Sequence, residues 1–227
     1  MLGRRDDEVL WWRRRDMLRA AAAWTALGGA ATASAQQRGN VVQFQGDVLV
    51  NDARLVPGAS VQTGDTVRTG PGSVVVFVIG NSAFHVRQNS SIVVERGARL
   101  LSVSLLRLIT GAVVSVWGRG DSRSIVTPTL TAGIRGTGVY AEVIPGQDGR
   151  TYFCNCYGTV QLDAGGSRTL SQATYHQPFY ANAPGASGPL IEPGPAINHT
   201  DEELEYLAAL VQQRTAWQIT GRKVKGY

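Results

Sequence analysis

Hydrophobic positions in this chain come in short runs, broken by glycine, proline, asparagine and aspartate roughly every eight to fifteen residues. Residues 41–44, 48–50 and 53–56 are the first such runs, separated by Gln45-Gly46-Asp47 and Asn51-Asp52. Pro57-Gly58, Thr63-Gly64-Asp65 and Thr69-Gly70-Pro71-Gly72-Ser73 are further turns, because these residues supply the backbone angles that turns need. Residues 74–79 form a nearly unbroken β-branched and aromatic run, the pattern of a strand buried on both faces. Residues 83–87, 92–95 and 113–117 read as strands, whereas the leucine spacing of 100–109 allows helix or strand. No helical pattern of ten to fifteen residues separates these runs, which argues against a doubly wound α/β fold. The expectation is an all-β unit, a solenoid-like or sandwich stack of short strands.

Residues 127–144 organise the rest. They read as a strand ending, a passage punctuated by Gly133, Gly136 and Gly138, and a second strand in which Val139, Ala141 and Val143 alternate with their neighbours. Arg135, set between those glycines, is expected to pair with backbone carbonyls. Residues 159–162 and 167–173 are the last strand runs. Residues 181–197 are rich in proline, glycine and alanine, so 176–199 as a whole reads as a wrapping loop.

One helix follows, over residues 200–215. Thr200 is a good N-cap, Glu203 completes a capping box, and Asp201 and Glu202 suit the positive end of the helix dipole. Leu204, Leu207, Ala208 and Val211 fall on one face, a stripe that packs against the β unit. Docking there would fix His199 just outside the cap. Residues 222–225 are a basic tail.

The net charge of +5 overstates the folded part, since six arginines and four acids within residues 1–35 account for +2. No basic cluster with an aromatic platform follows, which argues against nucleic acid as a partner. Residues 13–35 carry a basic start, an alanine-rich apolar stretch and Ala33-Ser34-Ala35, the order of an export signal. Arg14-Arg15-x-x-Leu18-Arg19 resembles the twin-arginine signal, with Met17 where phenylalanine is usual. Later windows offer no membrane span of about eighteen apolar residues. These features place the expected mature protein, residues 39–175 with their wrapping loop and helix, in the periplasm.

Three stretches taken in order resemble the FecR domain: Gly64-Asp65 through Ser73, Leu108-Ile-Thr-Gly-Ala-Val113, and Thr127-Pro128 followed by Gly133-Ile134-Arg135-Gly136-Thr137-Gly138-Val139. The resemblance covers about residues 40–165. It implies a solenoid-like periplasmic β unit, and in the founding group a relay from an outer-membrane transporter to a sigma factor. That relay uses a transmembrane segment and a cytoplasmic helical domain which this sequence does not display, so a binding or envelope-assembly role is what carries over. Phe153-Cys-x-Cys-Tyr-Gly158, with a later His and Asn198-His199-Thr200-Asp201, resembles an exported branch of the same family.

Cys154 and Cys156 are the only cysteines. On an extended strand residues i and i+2 share a face, so both sulfurs can meet one soft ion such as zinc or copper. His176 and His199 are the nearest candidates to complete a Cys2His2 set, with spacings that match no zinc finger. A disulfide, inert burial and a redox pair are the competing fates, and a bulge at Asn155 would ease the first. His85 is read as a surface or hydrogen-bonded residue outside the site. Catalytic patterns are weak: no Ser-His-acid set is recognisable, and Gly133-x-x-Gly136-x-Gly138 is no dinucleotide loop. The sequence therefore points to a non-catalytic exported binding protein, whose partner is another envelope protein or a small ligand. A metal- or redox-sensing protein built on Cys154 and Cys156 is the alternative, and a metal-dependent enzyme the third reading.

Overall fold

The computed structural model describes residues 39–97, 102–120 and 122–223, and the export-signal expectation for 1–35 lies outside them. The all-β expectation holds. The strands are β1 Val41–Gln45, β2 Val48–Val50, β3 Ala53–Arg54, β4 Thr66–Thr69, β5 Val74–Ile79, β6 Ser82–Val86 and β7 Ser91–Arg96. They continue with β8 Val103–Trp117, β9 Arg123–Val126, β10 Thr131–Val143, β11 Thr151–Ala164, β12 Ser167–Ala173, β13 Gln177–Ala181 and β14 Ile191–Pro193. Among the described residues, all but one of the strand pairings are antiparallel; β8 and β9 run parallel.

Three long strands do the work of a corner. The first part of β8 pairs with β7 and β9, while its last residues pair with β6 and β10. β10 pairs with β9 at Thr131–Ile134 and with β8 at Gly138–Val143, and β11 pairs with β13 at one end and β12 at the other. Each long strand thus passes from one layer to the next, and a positive-φ glycine marks each crossing: Gly111, Gly136 and Gly158. The glycine passage read as a break between two strands is therefore a bulge inside one strand. The register of β10 against β11 slips between Arg135 and Gly138, and again between Gly138 and Val139. Arg135, expected among backbone carbonyls, is exposed on β10.

The leucine-rich run that allowed either state is strand, because residues 103–110 find partners on both edges, in β7 and in β9. That pairing fuses it with 113–117 into β8. In the same way the Cys-x-Cys run and residues 159–162 fuse into β11.

Alternation along the strands then sorts the side chains into two cores. Val75, Phe77, Val113, Ala141 and Phe153 point inward, where they meet Val67, Ile92, Leu106, Ile125 and Val160 of the other layer. Their neighbours Val76, Val114, Val116, Tyr140, Tyr152, Cys154 and Cys156 point outward, and the C-terminal segment covers them. Residues 176–199, read as a wrapping loop, contribute β13 and β14 to this layer. The helix is shorter than expected, α1 Asp201–Leu210, and a second one, α2 Ala216–Thr220, has its own capping box from Thr215 and Gln218. The capping box at Thr200 and Glu203 forms as read, and Leu204, Leu207 and Ala208 are buried.

Gly138 sits where sheet and α1 meet. A Cβ there would lie 2.3 Å from Cε1 of Tyr157 and 2.7 Å from Cδ1 of Leu204. Gly138→Ala is expected to destabilise the protein by about 1–3 kcal/mol, the usual cost of overpacking, read from urea unfolding midpoints.

Candidate metal centre

β11 delivers both cysteines to the outer face of its layer. Val139 pairs with Asn155 and Gly138 with Tyr157, so Cys156 is the extra residue of a bulge. Both thiols are fully buried and not bridged to each other, so the disulfide alternative is not the state seen. Asn155 points elsewhere, donating from Nδ2 to the Ser171 hydroxyl at 2.8 Å.

The two histidines arrive from the covering segment. His176 lies just before β13, where its amide N–H donates to the Cys156 carbonyl at 2.9 Å. His199 lies immediately before the Thr200 cap of α1. Each is 1% exposed. One donor atom from each of Cys154, Cys156, His176 and His199 falls within 4.8 Å of the others. The four residues named from sequence come together.

Hydrogen bonds fix which nitrogen faces the centre. His199 Nδ1 lies 2.6 Å from the Ile197 carbonyl, which can only accept, so Nδ1 carries the proton and Nε2 turns inward. His176 Nε2 donates to Asp201 Oδ1 at 2.8 Å, leaving Nδ1 to face inward. The two inward nitrogens are 2.9 Å apart, and His176 Nδ1 is 3.6 Å from Cys154 Sγ. Two neutral imidazoles in these tautomers would aim lone pairs at each other in a dry site. A cation between them, whether proton or metal, resolves the conflict.

The electrostatics follow. Burial pushes the Cys154 thiol up, but the hydrogen bond from Cys156, the charge of His199 and the hydrogen bonds of His176 and His199 outweigh it, and Cys154 falls well below the usual thiol range. Burial and the Cys154 charge push Cys156 well above it. His176 is lowered by burial yet raised to about 9 overall by Asp201 and Cys154. Asp201, despite its burial, is held at about 2 by His176 and Lys223. These directions favour the charged forms of Cys154 and His176 and the neutral form of Cys156, and a soft divalent ion would displace the protons that its ligands carry.

Side chains that the sequence reading did not place hold the histidines still. Tyr140 stacks on His199 at 4.9 Å between ring centres, and Trp217 of α2 stacks on His176 at 5.5 Å. Tyr140 and Asn198 both donate to Glu142 Oε2 at 2.8 Å. Asp201 is the one supporting residue with a local signal, standing at the first helical position beside a predicted cap. His85 is buried and stays outside the site, with Nδ1 3.5 Å from Glu203 Oε1.

No family model matches the chain, and no curated protein matches it. Two crystal structures of a "putative anti-sigma factor" from Parabacteroides distasonis ATCC 8503 are similar to it, at 1.65 Å and 2.50 Å resolution, with TM-scores of 0.48 and 0.46. Each is 10% identical over 58% of this chain, which spans 60% of the length of the crystallised chain. Among the described residues no helix is long and apolar enough to cross a membrane.

Proposed function

We propose that this protein is a non-catalytic, FecR-like binding module of the periplasm, and that Cys154, Cys156, His176 and His199 hold one soft metal ion within it. The observation that carries the metal reading is the gathering of four buried donor atoms, two sulfurs and two imidazole nitrogens, within 4.8 Å of one another. Asp201 and the Ile197 carbonyl are the supporting groups that metal-bound histidines use to fix tautomer and ring orientation. Four protein donors leave no open coordination position, and catalytic zinc sites keep one. That is why the reading is a binding protein and not an enzyme. The FecR-like motifs and the twin-arginine-like start support the periplasmic assignment, and another envelope protein is the proposed partner.

Elemental analysis of protein purified from the periplasmic fraction tests this. One zinc or copper per chain is expected, with none retained in His199→Gln. A chain that emerges metal-free and refuses added zinc under reducing conditions contradicts the reading. Arg14→Lys with Arg15→Lys is expected to leave the protein in the cytosol, read by fractionation.

A further inference from the structure

Two of the four donors belong to the sheet and two do not. Cys154 and Cys156 sit within β11, whose first residues lie between β10 and β13. His176 and His199 lie on either side of the β13–β14 hairpin, and His199 leads directly into α1. Beyond it, Leu204, Leu207 and Trp217 cover Val76, Val114, Val116 and Tyr140 on the outer face of the sheet. An ion held by all four donors therefore ties the sheet to the chain that covers it. The covering chain also adopts left-handed backbone at His176, with φ 27°, and at Asn198, the residue before His199, with φ 61°. Left-handed angles at residues carrying a Cβ persist only where the surroundings impose them.

Charge selects the ion. Two thiolates and two neutral imidazoles cancel the charge of a divalent cation. Asp201 and Glu203 add no net charge, because Lys223 matches Asp201 at 2.6 Å and Arg87 matches Glu203 at 2.6 Å. A monovalent copper ion would leave one negative charge among donor residues that are at most 1% exposed, and an uncompensated buried charge is costly. Resting on the metal reading above, we propose that the ion is Zn(II), and that it is a clasp: it holds residues 174–223 on the sheet and releases them when it leaves.

Hydrogen–deuterium exchange on the full chain tests both halves, measured with zinc bound and after chelation under reducing conditions. Peptides from 174–223 are expected to exchange at least ten-fold faster without zinc, while those of β7 and the first part of β8 keep their protection. Re-adding zinc restores the protected state; copper(I) supplied anaerobically does not. Protection that copper(I) restores as fully as zinc overturns the choice of ion. Zinc that binds and leaves without changing exchange in 174–223 overturns the clasp while the metal reading stands. A chain that takes up no ion overturns both. His199→Gln gives a second readout: its 174–223 peptides should exchange as fast with zinc present as the chelated wild type does.

Discussion

Cys154→Ser is expected to empty the metal centre and to lower stability by at least about 3 kcal/mol when zinc is present. Serine keeps the shape of cysteine but offers a neutral hydroxyl, a poor partner for a soft ion. Metal affinity in such sites is folding free energy, and structural zinc in small peptides contributes roughly 10–16 kcal/mol. Less is expected here, because most of the inner core, from Val48 to Ala164, is built from residues outside 174–223. The test is the difference between two conditions. In excess chelator the same substitution should cost only about 1–2 kcal/mol, the scale of one buried polar replacement. Urea unfolding with and without zinc measures both. An equal loss in the two conditions would mean that Cys154 is packing and nothing more.

Arg87→Ala is expected to cost about 3–5 kcal/mol, because it strands a buried carboxylate. Arg87 Nη2 donates to Glu203 Oε1 at 2.6 Å, with both side chains about one-tenth exposed. The same carboxylate receives the Thr200 amide in the capping box, so it ties the start of α1 to the sheet. Arg87 also lies over the Tyr140 ring, which stacks on His199. Burial would raise the Glu203 carboxyl, but the Arg87 charge, with His85 and Thr200, holds it well below the usual carboxylate range. A depressed folded pKa means that its stabilising contribution is present above the unfolded value and lost as pH falls through the folded one. Without Arg87 the burial effect is freed, and protonation then relieves the variant. The stability gap between wild type and Arg87→Ala should therefore shrink as pH is lowered from 7 toward about 4. Adding Glu203→Gln to Arg87→Ala should recover part of the loss. A gap that is constant with pH would show that Arg87 acts through packing alone.

The strand content was legible because turn residues cut the apolar runs so regularly. Which runs fuse was not. Residues 103–110 and 113–117 are one strand only because β7, β9, β6 and β10 pair along its length, and local propensity carries no trace of those partners. The glycines of 133–138 advertised special backbone, yet a corner and a loop need the same angles. At the site, Cys154 and Cys156 were legible from period two alone, as was His199 from its place beside a capping box. The route that brings His176 to them was hidden: it depends on β13 pairing with β11, in a stretch whose proline and glycine content reads as loop. Arg87 and Glu203, 116 residues apart, are beyond any local signal.

X-ray absorption at the zinc edge, on protein purified without added metal, bears most directly on the buried Cys2His2 centre. Two sulfur and two nitrogen neighbours at distances near 2.3 and 2.0 Å, as tetrahedral zinc requires, are the predicted result. A zinc shell of oxygen and nitrogen without sulfur, or a protein holding no zinc at all, would contradict it.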